Sequence, residues 1–208
     1  MTNYRPRLFR ADASLFPDPL EDESSMRGIP QSRRDYILRY KFPRDRRLGL
    51  CAWRLLESVL RRYGRSAEEI YIGEQGKPLC HGIYFNLSHS AEMAVCGVGS
   101  GEIGVDVEKC ENAPFDICEA VFTKGEREYI QSAAGPEEKT RRFFRLWTVK
   151  ESFMKMTGMG LSISPRDIEI NVSEGRLLFH GMTQDCCYFA QSCGAYEIAS
   201  VVSRKRGN

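Results

Sequence analysis

Six residues in the middle of the chain, Ile103-Gly104-Val105-Asp106-Val107-Glu108, alternate β-branched side chains with Gly, Asp and Glu. Side chains on a strand alternate between its faces, so Ile103, Val105 and Val107 share one side and Gly104, Asp106 and Glu108 the other. Such a strand needs a core against its β-branched face and a special environment for its acids. The two carboxylates lie roughly 6–7 Å apart along the strand. They repel each other unless a cation sits between them. Hard oxygen ligands of this kind suit Mg²⁺, which keeps waters and takes further ligands from phosphates. A solvent-facing acidic edge is the equal alternative on the strand alone.

The surroundings read as a mixed α+β chain. Ile83-Tyr84-Phe85 enters one neighbouring strand and Met93–Val98 makes another, with Gly99-Ser100-Gly101 turning the chain. Leu48, Cys51, Ala52, Leu55, Val59 and Leu60 recur at helical spacing over about 45–63. Asp45 is the expected N-cap there and Gly64 the stop. Residues 11–30 read as a loop or loosely packed arm, and Glu74–Pro78 as a turn. Helices are expected over 116–134 and 138–157, separated by Gly135-Pro136. Strands are expected over 167–172, 176–180, 186–191 and 195–202. The order of helix, strands, helices and strands admits two similar halves.

Composition narrows the function classes. A chain of 208 residues forms one domain or two small lobes sharing a core. Its 30 Lys+Arg against 28 Asp+Glu give a net charge of +2, too balanced to imply a nucleic-acid partner. The local run Arg33, Arg34, Arg39, Lys41, Arg44, Arg46 and Arg47 reads first as a solvated face. None of the eight cysteines forms a C-x-x-C pair, so zinc-site spacing is absent. No stretch approaches the ~20 apolar residues needed to span a bilayer. The charged Met1–Arg10 segment does not read as a secretory signal. A cytoplasmic protein with reduced thiols is expected.

Two further segments carry candidate chemistry. On the helix around 143–157, Phe143, Leu146, Val149, Phe153 and Met156 form an apolar stripe. Phe144, Thr148, Glu151 and Lys155 fall on another face, where Glu151 and Lys155 are i,i+4 neighbours. Alone, that pair is an ordinary surface salt bridge. The segment Phe85-Asn86-Leu87-Ser88-His89-Ser90 reads as a polar turn at a strand end, suited to an anion. Ser88 and His89 are sequence neighbours pointing to opposite faces, and no G-x-S-x-G elbow accompanies them, so a serine hydrolase is disfavoured.

Gly76-Lys77-Pro78, Phe85–Ser90, Gly104–Glu108 and Trp147–Lys155 occur in that order, joined by Phe122-Thr123-Lys124-Gly125-Glu126 and Gly158-Met159-Gly160-Leu161-Ser162. The combination resembles the 4′-phosphopantetheinyl transferases of the surfactin-synthetase-activating type. The firm resemblance covers about residues 76–165. It implies a pseudo-twofold pair of similar α/β lobes, about 1–100 and 101–208, forming one unit. It also implies transfer of the phosphopantetheine arm of coenzyme A to a serine of an apo acyl or peptidyl carrier protein.

The resemblance places Asp106, Glu108 and Glu151 around Mg²⁺, with Mn²⁺ an oxygen-ligand alternative. Lys155 then stabilises the leaving diphosphate. Glu151 is the first candidate base, directly or through a metal-bound water, and Glu126 a second. Lys77, Ser88 and His89 resemble coenzyme A contacts. An Arg of 44–47 should meet the 3′-phosphate, with Arg44 and Arg46 foremost and Arg47 next. The partner is an acidic helical carrier meeting residues 114–130, with Lys124 and Arg127 opposite its acids. Single-chain members of this family usually act as monomers, so the resemblance implies a monomer. A non-catalytic carrier-binding protein is the second reading, which would need no cage of acids. An RNA-binding module using Arg33–Arg47 is the third, disfavoured by the near-neutral charge.

Overall fold

The computed structural model describes residues 4–73 and 77–204. The first lobe contains β1 (Arg7–Asp12), α1 (Gln31–Leu38), α2 (Pro43–Arg62), a short hairpin of β2 (Tyr71–Ile72) and β3 (Pro78–Leu79), then β4 (Tyr84–Ser90) and β5 (Met93–Gly99). Its antiparallel sheet has the order β1-β5-β4. The second lobe contains β6 (Ile103–Lys109), α3 (Cys118–Val121), α4 (Lys124–Gln131) and α5 (Pro136–Thr157). A small sheet follows, β7 (Ile168–Asn171), β8 (Arg176–Phe179) and β9 (Met182–Thr183), and then β10 (Cys186–Cys193) and β11 (Tyr196–Ser203). The main sheet here is also antiparallel, in the order β6-β11-β10.

The two main sheets share one plan. Each begins with a strand, crosses over through a long helix, and returns in a hairpin whose second strand pairs with the first. The fold is therefore α+β, a pair of similar lobes. The lobes meet through Val95 of β5, Ile103, Val105 and Val107 of β6, and Ile198 and Val202 of β11, all buried in one apolar cluster. The approach is close enough that a Cβ at Gly97 would run into a Val105 methyl. Helix α2 covers the first sheet from outside, with Leu50, Trp53, Leu56 and Leu60 packed on Phe85, Cys96 and Val98. Helix α5 covers the second, with Phe143, Leu146, Val149 and Phe153 in its core. Its other face is buried as well, since Thr148 and Phe144 are both inside.

Several element boundaries differ from the sequence reading for local reasons. Helix α2 starts at Pro43, with Phe42 at the N-cap and Asp45 inside the first turn. Proline suits the first helical position because its missing N–H would have had no partner there. Gly64 stops the helix as expected, with φ of +69° and the Arg65 amide donating to the Leu60 carbonyl. The expected helix 116–134 breaks at Phe122-Thr123, where Thr123 and Glu126 form a capping box that begins α4. Phe85–Ser90 is a continuous strand rather than a turn, paired with β5 along its whole length. Most of the expected turn 74–78, with Gly76 of the glycine-lysine-proline motif, lies outside the described residues. All eight cysteines are free thiols. Among the described residues no helix is long and apolar enough to cross a membrane.

Gly104 sets how near α5 comes to β6. A Cβ there would overlap the Ser152 carbonyl and lie 2.5 Å from the Met156 amide nitrogen. Backbone cannot move aside as a side chain can, so α5 would have to lift from the sheet. Gly104→Ala is expected to destabilise the fold by about 1–3 kcal/mol or more, the usual cost of overpacking. Gly125→Ala, whose new methyl meets nothing within 4 Å, should stay within about 1 kcal/mol of wild type. Equilibrium urea unfolding of both variants checks the contrast.

Candidate active site

Strand β4 lies beside the outer edge of β6 without pairing to it. Its residues Asn86, Ser88 and Ser90 sit on one face and bridge the gap. The Val105 amide donates to Asn86 Oδ1 at 2.9 Å, and the Lys109 amide to Ser90 Oγ at 3.2 Å. These side chains satisfy edge groups that a neighbouring strand would otherwise take. The two hydroxyls also reach the acids of β6. Ser88 Oγ donates to Asp106 Oδ1 at 2.8 Å and Ser90 Oγ to Glu108 Oε2 at 2.8 Å.

Helix α5 supplies the other wall. Because Gly104 admits it closely, Glu151 and Lys155 come down beside Asp106. Lys155 Nζ donates to Asp106 Oδ1 at 2.6 Å and to Ser88 Oγ at 2.9 Å. Asp106 is only 3% exposed, and its Oδ2 is buried with no hydrogen-bond partner among the described residues. Burial pushes the Glu108 carboxyl up, and the nearby Asp106 charge pushes it further. Glu151 is raised in the same way, by burial first and Asp106 second, against a downward pull from Lys155. The acids on β6 and α5 thus crowd one another, with Lys155 as the local cation.

Sequence-predicted residues divide into groups. Asp106, Glu108, Glu151, Lys155 and Ser88 come together. Lys77 joins them at the seam, its Nζ 3.3 Å from the Ile103 carbonyl and 3.4 Å from that of Lys155, with Glu102 at 3.6 Å. Burial pushes its pKa down. His89 points to the opposite face of β4 from Ser88. Desolvation lowers the imidazole pKa, and the charges of Lys155 and Arg33 lower it further.

Arg46 stands apart from this group. It is buried and pairs with buried Asp18, Nε to Oδ1 at 2.8 Å and Nη2 to Oδ2 at 2.5 Å. Its Nη1 donates to the carbonyls of Tyr40 and Lys41, each at 2.9 Å. Every guanidinium nitrogen is thus held inside the protein, which leaves nothing for a phosphate. Arg44 is exposed at the start of α2. Glu126 is likewise committed, at 2% exposure, to an ion pair with Lys150.

The sequence reading passed over Arg33 as part of a solvated basic face. Its guanidinium lies 4.6 Å from the Tyr36 ring centroid and 5.3 Å from that of Trp53. Its Nε is buried without a hydrogen-bond partner among the described residues, and burial pushes its pKa down. An unpaired, partly buried guanidinium is costly unless something satisfies it, and its charge reaches His89. The signal available in the sequence was Tyr36, three residues along the same helix, able to stack on it.

The family model for the 4′-phosphopantetheinyl transferase superfamily matches residues 102–201. The 4′-phosphopantetheinyl transferase psf-1 of Bacillus pumilus is 30% identical over 169 residues, covering 75% of this chain and 72% of its own. The chain belongs to the 4′-phosphopantetheinyl transferase superfamily. A 4′-phosphopantetheinyl transferase of Bacillus subtilis is 33% identical over 149 residues, 69% of this chain. The match spans 66% of that relative, just under two thirds of its length. A solved holo-[acyl-carrier-protein] synthase from Thermotoga maritima overlays 50% of this chain and 64% of its own at 18% identity, with a TM-score of 0.41. The superfamily match includes Asp106, Glu108, Glu151 and Lys155, whereas Lys77, Ser88 and His89 precede it.

The Asp18–Arg46 pair gives this lobe a pH signature. Hydrogen bonding to the Arg46 guanidinium holds the Asp18 carboxyl below its ordinary value, against the upward push of burial. A depressed carboxyl contributes stability above its unfolded pKa, near 4, and loses it as pH falls through the folded value. Asp18→Asn should therefore melt at a lower temperature than wild type at neutral pH. The gap should narrow as pH falls below about 4. Thermal melts from about pH 7 down to about pH 2 check this.

Proposed function

We propose that this chain transfers the 4′-phosphopantetheine arm of coenzyme A to a serine hydroxyl of an apo carrier protein, releasing adenosine 3′,5′-bisphosphate. The observation that carries the reading is the meeting of Asp106, Ser88, Glu151 and Lys155 at the lobe seam of a superfamily member.

The donor set fits a hard divalent cation. As the side chains stand, no three of His, Cys, Asp or Glu among the described residues converge tightly enough to enclose one. Yet Asp106 keeps a buried oxygen without a partner, and two further carboxylates are raised by burial and by its charge. Asp106, Glu108 and Glu151 would hold Mg²⁺ or Mn²⁺, with remaining ligands from water and the diphosphate. Such an ion neutralises diphosphate charge and polarises phosphorus.

The chain's own residues then have distinct tasks. Glu151 accepts the proton of the carrier serine. The serine oxygen forms its bond to the β-phosphorus as the bond from that phosphorus to the bridging oxygen breaks. The bridging oxygen leaves with the electron pair, as part of adenosine 3′,5′-bisphosphate. Lys155 stabilises its charge. Ser88 orients both Asp106 and Lys155 by its two hydrogen bonds. Lys77 and His89 contact the nucleotide part, and Arg44 with Arg33 receives the 3′-phosphate, Arg46 being held by Asp18.

The carrier is an acidic helical domain acted on by a monomer in the cytoplasm. On the expected docking segment, Val121, Phe122 and Ile130 belong to the core, while Phe115 and Lys124 are exposed. Lys139 lies 4.8 Å from the Phe115 ring centroid and adds positive charge.

Intact-mass spectrometry of an apo carrier incubated with the chain, Mg²⁺ and coenzyme A should show a gain of ~340 Da, lost on chelation. Asp106→Ala and Glu151→Gln should each abolish the gain while keeping a wild-type circular dichroism spectrum. An active Asp106→Ala chain would sink the metal-site assignment. Coenzyme A binding without transfer to any carrier would favour a non-catalytic carrier-binding protein. Arg33→Ala should weaken coenzyme A binding about tenfold or more, the loss of one charge-assisted contact to phosphate.

A further inference from the structure

Lys150 and Glu126 form an ion pair in the core of the second lobe, at 2.8 Å. Lys150 is 0% exposed and Glu126 2%. The surroundings are apolar: Lys150 Nζ lies 5.5 Å from the Phe122 ring centroid, and Val121, Ile130, Phe153, Ile168 and Ile170 belong to the same cluster. A buried pair of this kind is a poor source of stability, since apolar residues of similar size usually do as well or better. Its presence therefore calls for another explanation, and the remaining hydrogen bonds supply one.

The pair joins four segments. Lys150 Nζ also donates to the Pro165 carbonyl at 3.0 Å and to that of Ile168. Glu126 Oε2 accepts from the Thr123 amide at 2.8 Å, inside the capping box, and Oε1 from the Ile170 amide at 2.8 Å. One lysine and one glutamate thus tie the start of α4, the middle of α5, the 3-10 turn Pro165–Asp167 and strand β7 to one another.

Glu151 is the next residue on α5. Neighbouring side chains on a helix are fixed about 100° apart, so whatever sets the rotation of α5 at Lys150 also aims Glu151. At the ~6 Å radius of a helix with side chains, a rotation of about 20° swings a carboxylate about 2 Å. Misplacement of about 1 Å can cost a reaction about a hundredfold. A point charge held by directional acceptors resists that rotation better than an apolar side chain, which slides in its groove.

We propose that Lys150 and Glu126 are positioning residues: their buried pair locks the rotation of α5 and thereby aims Glu151 at Asp106. This rests on the transferase reading for its catalytic consequence, but the aim of Glu151 can be measured without transfer. The test uses the full chain carrying Glu126→Gln and Lys150→Met together, so that neither partner is left charged and alone. An apo carrier domain that wild type modifies is the acceptor, with coenzyme A and Mg²⁺.

The double variant should fold and keep its KM for coenzyme A within about threefold, while kcat falls about 50-fold or more, the split expected of a misaimed group. Mn²⁺ affinity, read by electron paramagnetic resonance with coenzyme A present, should fall at least about tenfold, since a misaimed carboxylate is a lost ligand. A folded double variant with kcat and Mn²⁺ affinity both within about twofold of wild type would overturn the proposal. If the double variant fails to fold, Glu126→Asp decides. It keeps the charge but draws the anchor back by one methylene, and should lower kcat about fivefold or more at unchanged KM. An unchanged kcat would overturn the proposal. If wild type modifies no carrier, the transferase reading fails, and the positioning role stands or falls on the Mn²⁺ affinity alone.

Discussion

Helix α5 rests on β6 backbone to backbone at Gly104, and the site exists because of that contact. Side chains on both elements normally hold a helix away from the sheet it covers. With no Cβ on the strand, the helix drops into the space and brings two of its polar side chains level with Asp106. The same strand carries Ile103, Val105 and Val107 into the lobe interface. One strand therefore fixes both the joining of the lobes and the depth of the acids. The edge of β6 is closed by Asn86, Ser88 and Ser90, so the groups that orient the acids also replace missing sheet hydrogen bonds.

Electrostatics explain why this arrangement asks for something more. Lys155 can pair closely with one carboxylate, and it pairs with Asp106. Glu108 has a hydroxyl donor in Ser90, yet its carboxyl remains raised, as does that of Glu151. A fold selected for stability alone would not crowd half-buried acids against a buried one with so little compensation. Perturbed groups gathered at a seam are the physical reason to take it as the candidate functional site. Lys155 at Asp106 also limits the cost of the acids when nothing is bound, by supplying a nearby positive charge.

Much of this is legible in the sequence. The period-two pattern of Ile103–Glu108 fixed which side chains share a face, and i,i+4 spacing put Glu151 and Lys155 together. Both rules depend on backbone geometry alone, so they survive folding unchanged. What could not be read was which charges are spent internally. Arg46 and Arg44 are two residues apart in one basic run, yet the first is consumed by Asp18, from an arm 28 positions away. Glu126, expected as a second candidate base, is buried and paired with Lys150, which comes from another helix. Periodicity also missed the break at Thr123, where a capping box outweighs an apolar pattern that runs on through Ile130. For Arg46 and Glu126 the deciding partner lies in a different element, and a single sequence carries no mark of such pairings; the Thr123–Glu126 box is local, and its T-x-x-E spacing is a signal the sequence does carry.

The duplicated plan leaves a question of number, since two similar lobes could have produced two sites. The chemistry lies on one side only. In the second lobe the face of the first strand turned toward its crossover helix carries Gly104, Asp106 and Glu108. In the first lobe the corresponding face of β1 carries Phe9 and Ala11, which pack into the cores under α2. There is no glycine on that face to lower α2 onto the strand, and no acid for a cation. The acid that α2 does bury, Glu57, is taken by Trp53 Nε1 at 3.0 Å and Arg54 Nη1 at 2.7 Å on the same helix. What the first lobe contributes instead is the second wall: Ser88 and Ser90 from its edge strand, and Lys77 from beside its hairpin. The two lobes share the frame, and the candidate site arises where they differ.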